Sequence, residues 1–164
     1  MPDPGLQYVI NRLSSNLARD FLVQQTVINL REFLQVDRTL LYYLYNECNG
    51  QVTFESLSYS ELSILGMKGP DECFNAKYAA MYLAGRVRGI ADIETESIQD
   101  CHRDFLRSLR VRANLVVPVL NRKRLWGLLI AHHCQDTRCW VASDIEAMLK
   151  AAETLAMAPA IRDS

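Results

Sequence analysis

The chain has no apolar run approaching the ~18 residues that a membrane-spanning helix needs. Its opening, Met1-Pro2-Asp3-Pro4-Gly5, lacks the basic and apolar regions of a signal peptide. Excess charge is missing too. The 18 Lys and Arg against 19 Asp and Glu leave a net charge of −1, which gives no general attraction to nucleic acid or anionic membrane. The five cysteines (Cys48, Cys73, Cys101, Cys134, Cys139) are an odd number without a Cys-x-x-Cys pair. That argues against a disulfide framework and for a cytoplasmic chain with mostly free thiols. No G-x-S-x-G, P-loop, dinucleotide fingerprint or paired-carboxylate motif occurs, so the familiar hydrolase and nucleotide signatures drop out. There are no repeats, low-complexity tracts or internal linkers.

What is present is an ordinary globular composition. With 164 residues, 49% hydrophobic and 23% charged, the chain is long enough for one domain with a substantial core. It is organised around Ser97-Ile98-Gln99-Asp100-Cys101-His102 and the helical pattern running on to Arg110. Ile98, Cys101, Phe105 and Leu109 share one face, and Ser97 with Asp100 three residues on predicts an imperfect capping box. Cys101 then falls in the first turn, where unpaired N–H groups and the helix dipole favour a thiolate. His102 follows as a proton donor or acceptor near neutral pH. A cysteine on an apolar helix face is also simply a small hydrophobe.

Taken in order, residues 5–35 carry an amphipathic stripe (Leu6, Val9, Ile10, Leu13, Leu17) that shifts phase near Asp20, predicting a second helix or a kink there. Residues 36–45 and 51–57 read as a hairpin around Asn46-Glu47-Cys48-Asn49-Gly50. Asp71-Glu72-Cys73-Phe74 opens a second helical pattern, with Asp71 as its cap and Gly85 as its stop. Residues 86–90 predict a strand with Arg86 and Arg88 on one face, either solvated or forming a fork-shaped clamp for carboxylates. Arg103, Arg107 and Arg110 predict a solvated helix face. Residues 113–120 form a strand in which Pro118 predicts an edge position or a bulge. Residues 125–134 form a central strand that sends His132 and His133 to opposite faces. A last amphipathic helix begins at Ser143. The order predicts an α+β domain, an antiparallel sheet flanked by helices with a pocket on one face.

The residues themselves leave three chemistries open. Cys101 and His102 do not make a hydrolase pair, because adjacent helical residues project about 100° apart. A metal site from Cys73, Cys101, Cys134 and His132 has suitable atoms but no zinc-like spacing. A ligand pocket with two activatable thiols, two arginines and histidines suits an anionic, electrophilic small molecule.

Several segments resemble a cyanobacteriochrome GAF domain, a bilin-binding photosensor of the phytochrome superfamily. They are Gly85-Arg86-Val87-Arg88-Gly89-Ile90-Ala91-Asp92-Ile93, Asp100-Cys101-His102, Val111-Arg112-Ala113-Asn114-Leu115-Val116-Val117-Pro118, and Leu125-Trp126-Gly127-Leu128-Leu129-Ile130-Ala131-His132. Asp71-Glu72-Cys73-Phe74 is similar to the Asp-Xaa-Cys-Phe motif of the two-cysteine subgroup. Gly89 departs from the usual Ala, and the segment 59–68 matches only loosely. The resemblance implies a GAF fold over residues 1–164, excised from a longer multidomain protein. The implied cofactor is a linear tetrapyrrole, phycocyanobilin or phycoviolobilin or both. Cys101 would carry its thioether to ring A, and Cys73 would be the second, reversible thiol. Asp71 would hydrogen-bond pyrrole nitrogens, beside Phe74. Arg86 would hold a propionate, His102 would lie against the rings, and His132 would approach ring D. The implied activity is light sensing without catalytic turnover beyond self-attachment of the chromophore. The implied photocycle joins a violet- or blue-absorbing state to a green- or orange-absorbing state through isomerisation of the bridge between rings C and D. Implied partners are an output module on the same polypeptide (histidine kinase, chemotaxis-type or cyclic-di-nucleotide) and a second copy meeting through the terminal helices. The rivals are a GAF-type receptor for a diffusible small ligand and a thiol-based redox or metal sensor.

Overall fold

The structure, a computed structural model, describes residues 3–47, 49–69, 76–122 and 124–164. Asp3 caps the first helix, α1 (Pro4–Arg19), by accepting from the Gly5 N–H at 2.9 Å, with Pro4 at the position where its missing N–H costs nothing. Asp20 alone separates α1 from α2 (Phe21–Leu34). Its Oδ1 accepts from the Leu22 and Val23 N–H groups at 2.9 and 3.2 Å, and its Oδ2 accepts from the Ala160 N–H at 3.0 Å. The phase shift in the sequence is thus a helix break held by one carboxylate, which also pins the C-terminal segment.

Five strands follow: β1 (Arg38–Leu44), β2 (Gly50–Leu57), β3 (Arg88–Ile90), β4 (Ala113–Asn121) and β5 (Arg124–His133). They form one antiparallel sheet in the order β2-β1-β5-β4-β3, with β5 in the middle. Alternation along each strand sorts the side chains into two cores. Leu41, Leu115, Val117, Leu129 and Ala131 join α2 and α5 (Ala142–Met157) on one face. Leu40, Val116, Leu128 and Ile130 face the other way, toward α3 (Ala76–Leu83) and α4 (Asp100–Ser108). Trp126 is passed over in the β4–β5 register, where Val119 pairs with Gly127 and Leu120 with Leu125. This bulge turns the indole into the helix-side core, 5.2 Å from the Tyr43 ring. A short α6 (Pro159–Arg162) closes the chain. Among the described residues no helix is long and apolar enough to cross a membrane.

Several local expectations shift. The strand expected from Arg86 begins at Arg88, because the backbone before it completes the stop of α3. The last helix starts at Ala142. Pro118 lies in β4, an interior strand, yet β3 pairs only with residues 114–116, so Pro118 has a neighbour on one side and its missing N–H breaks no ladder bond. Arg103 and Arg107 are more than a solvated face. Arg103 donates to the Ile93 and Glu96 carbonyls at 2.9 and 2.6 Å, and Arg107 grips Glu94 at 2.8 Å, so both fasten the loop before α4. Asp71, Cys73 and Phe74 lie outside the described residues.

Candidate functional site

Between the sheet and the layer formed by α3 and α4 lies a cavity of about 560 Å³, within the range of small-molecule sites. Its apolar wall comes from the alternating strand positions Leu40, Tyr42, Ile90, Val116, Leu128 and Ile130. The segment 59–68, for which the sequence assigns no role, adds Ile64 and Met67 after a single 3-10 turn at Ser60–Leu62. Besides the tyrosines, seven polar side chains line the same space: Arg86, Arg88, Ser97, Gln99, His102, Asn114 and His132.

Arg86 is placed by the end of α3. Gly85 takes φ +100°, its N–H bonds to the Tyr82 carbonyl at 2.9 Å, and the Arg86 N–H bonds to Met81 at 3.0 Å. This is a Schellman stop, and only glycine adopts its left-handed residue without strain. The turn lays the Arg86 guanidinium 5.4 Å from the centroids of both Tyr78 and Tyr82. Among the described residues no carboxylate sits against it. Arg88, on the same face, pairs with Glu96 at 3.0 Å. The shared face read from the sequence holds, and the two arginines differ in whether a carboxylate already engages them.

Helix α4 begins at Asp100, with Gln99 in the cap position and no side-chain cap. The Ser97 capping box therefore does not form, although Cys101 still occupies the first turn. The helix and the residues at its two ends turn Ile98, His102, Phe105, Leu106 and Leu109 to the cavity, whereas Cys101, expected on the same face, is disulfide-bonded and is not part of the cavity lining. Burial lowers the His102 pKa first, and the Arg88 and Arg86 charges lower it further, so its imidazole is neutral at pH 7.

The two histidines of β5 divide as their alternation requires. His132 is 3% exposed and lines the cavity, whereas His133 turns Nδ1 toward Asp37 at 3.8 Å, too far for a hydrogen bond. His132 Nδ1 accepts from Arg38 Nε at 3.1 Å. Arg38 is 1% exposed, and its Nη1 and Nη2 donate to the Leu62 and Leu109 carbonyls at 2.6 and 2.7 Å. Burial, and then the charge of Arg38, hold the His132 pKa well below its usual value. Arg38 and Asn114 are the site residues that the sequence reading missed. A charged residue opening the strand that carries the apolar run of β1 was the available signal for the first.

Among the described residues no group of three or more His, Cys, Asp and Glu could hold a metal ion, and Cys134 and Cys139 are free thiols. Burial pushes the Cys134 thiol pKa up, which disfavours its thiolate. The cavity instead suits a long, largely apolar ligand carrying carboxylates and amide-like groups.

Comparison with known proteins agrees with this geometry. The chain is 50% identical over 156 residues to an uncharacterized protein of Picosynechococcus sp., covering 95% of this chain and 96% of that one. It is 30% identical over 176 residues to the circadian input-output histidine kinase CikA of Synechocystis sp., covering 93% of this chain and 24% of that protein. The blue-light absorbing form of the Thermosynechococcus elongatus PixJ GAF domain superposes with a TM-score of 0.81 at 31% identity, over 93% of this chain and 88% of that one. A phycocyanobilin-bound GAF domain from a cyanobacterial phytochrome gives 0.75 at 26% identity, over 96% and 94%. The GAF domain pattern itself matches residues 19–158, so the chain belongs to the GAF domain family.

Proposed function

We propose that the chain is a light-sensing GAF domain that binds a linear tetrapyrrole covalently. The observation that carries this reading is the apolar cavity faced by Arg86, which no described carboxylate engages, beside the first turn of α4 with Cys101 and His102. Likeness to PixJ and to a phycocyanobilin-bound GAF domain supports the same ligand class. When bound, the bilin absorbs visible light and isomerises about the bridge between rings C and D.

This chain's residues supply the rest. Cys101, which is disulfide-bonded in the structure, would first be released by a thiol reductant; its S–H would then add across a ring A double bond, forming one C–S bond as the proton moves to the neighbouring carbon. Arg86 holds a propionate, and His102, kept neutral by burial, lies against the rings. His132 meets ring D, Cys73 serves as the second, reversible thiol of the Asp-Xaa-Cys-Phe motif, and Asp71 orders the pyrrole nitrogens. The domain signals rather than turns over substrate, to an output module of the kind CikA carries in its histidine kinase. One experiment decides. Protein produced with phycocyanobilin is denatured, tested for zinc-enhanced fluorescence on a gel, and scanned before and after illumination. Covalent pigment and a reversible spectral change are expected; a colourless protein would favour a receptor for a diffusible metabolite.

A further inference from the structure

One pair of polar groups in the cavity wall is set up with opposite hydrogen-bonding polarity. The β4–β5 register places Asn114 directly opposite His132, both on the cavity face and only 4% and 3% exposed. Directly opposed residues on an antiparallel pair have Cβ atoms about 4.5–5.5 Å apart, so these side chains stand side by side. Asn114 Oδ1 is buried and has no hydrogen-bond partner among the described residues. It is an acceptor waiting for a donor.

His132 has the complementary character. A guanidinium only donates, so the Nδ1 that accepts from Arg38 at 3.1 Å must carry the lone pair. The proton of the neutral ring is then on Nε2. Arg38 is held in place, because its Nη1 and Nη2 donate to the Leu62 and Leu109 carbonyls. Arg38 is the charge that acts on His132; Asp37, Glu55, Cys134 and Arg110 act on Arg38 in turn.

We propose that Arg38 is a positioning residue that locks His132 as an Nε2–H donor, and that His132 with Asn114 forms a donor–acceptor subsite for a lactam. The lactam is the cyclic amide that terminates each end of a linear tetrapyrrole, so this inference rests on the bilin reading. A lactam presents C=O and N–H along one edge. The carbonyl takes the His132 proton and the N–H gives its proton to Asn114. A ring turned over would set donor against donor and acceptor against acceptor, so the subsite distinguishes two orientations of the same group.

The tautomer is tested without any bilin. Imidazole ¹⁵N–¹H correlation spectra of the unloaded protein at neutral pH should show His132 protonated at Nε2 and bare at Nδ1. A ring protonated at Nδ1, or at both nitrogens, overturns the lock. Arg38→Met should release His132 to a mixture of tautomers, and Arg38→Lys should restore the single form. If Arg38→Met does not fold, the spectrum of the unaltered protein still decides. The lactam contact is tested in Cys101→Ala, where binding of phycocyanobilin is reversible. Adding Asn114→Leu should weaken binding about 3- to 10-fold, the worth of one neutral hydrogen bond. Unchanged affinity overturns the subsite. If the Cys101→Ala parent holds too little phycocyanobilin to titrate, the rate of covalent loading is compared between the unaltered protein and Asn114→Leu, where equal rates overturn the subsite; an unaltered protein that takes up no pigment removes the bilin reading and the lactam contact with it, whereas the tautomer is still judged by its own spectrum.

Discussion

Replacing Arg86 with Ala separates ligand recognition from structural support. Arg86 touches Tyr78 and Tyr82 at 5.4 Å and meets no described carboxylate, so its removal strands no buried acid. Arg88 is already paired with Glu96 at 3.0 Å, with side chains 28% and 34% exposed. A charge-assisted hydrogen bond to a ligand carboxylate is worth about 1.5–3 kcal/mol, or roughly 10- to 150-fold in affinity. A partly exposed pair such as Arg88–Glu96 contributes about 0–1 kcal/mol, so losing it costs at most roughly 5-fold. The assay is absorbance titration of Cys101→Ala protein with phycocyanobilin and with its propionate dimethyl ester. In the parent the ester should bind about 10- to 150-fold more weakly than the diacid. In Arg86→Ala both should bind with the weaker affinity, because the same contact has been removed from either side. Arg88→Ala should keep most of the difference. If the losses from Arg86→Ala and from esterification simply add, the two groups do not meet and the clamp is wrong.

The thiols are separable by colour. Cys101→Ala should lose denaturation-resistant pigment, whereas Cys73→Ala should keep it but lose the violet or blue form, and a Cys73→Ala protein still cycling through that form would end the two-cysteine mechanism. Stability should also depend on His132. In the unfolded chain it titrates near ~6.5, but in the fold burial and Arg38 hold its pKa well lower. Its contribution is therefore complete above ~6.5 and is lost below, by about 1.4 kcal/mol per pH unit, because the unfolded state takes the proton that the fold refuses. His102 acts with the same sign. Urea unfolding from neutral to mildly acidic pH should show His132→Gln, which keeps an acceptor for Arg38, falling less steeply; an equal slope would contradict the neutral ring. Finally, Gln35 ends α2 at φ 54° and is exposed, so Gln35→Gly should stabilise by about 0.5–1 kcal/mol in thermal or chemical unfolding.

Much of the scaffold was legible in the sequence because its determinants are local. Asp20 marks a helix start, Gly85 a helix stop, and the alternation of residues 113–120 and 125–133 marks buried strands, each through neighbours a few positions away. The resemblance supplied the site, and the structure brings Arg86, His102 and His132 to one cavity. Alternation alone put His132 and His133 on opposite faces without saying which face holds the cavity. Ser97 misled because a capping pattern competes with the extended approach of Gln99, whose φ of −65° and ψ of 147° lead straight into Asp100. Arg38 escaped notice for a different reason. Its partners, Leu62, Leu109 and His132, lie 24, 71 and 94 residues away, and no window along the chain contains them. Asn114 was likewise just one polar residue in a quoted motif until the strand register set it beside His132.

The central position of β5 has a mechanical consequence. The cavity and the layer of α2 and α5 lie on opposite faces of the sheet, so the direct route between them through a strand runs along main chain. Along β5 the hand-over takes one peptide unit. Ile130 and His132 press on the cavity while Leu129 and Ala131 press on the core beneath α2 and α5. Leu129 and Ala131 are both fully buried, and interiors packed at crystal-like density give way little, so a sideways push on His132 tilts its neighbour into the helix layer like a see-saw. Because β1 and β4 are both hydrogen-bonded to β5, the pivot is shared by three strands rather than carried by one.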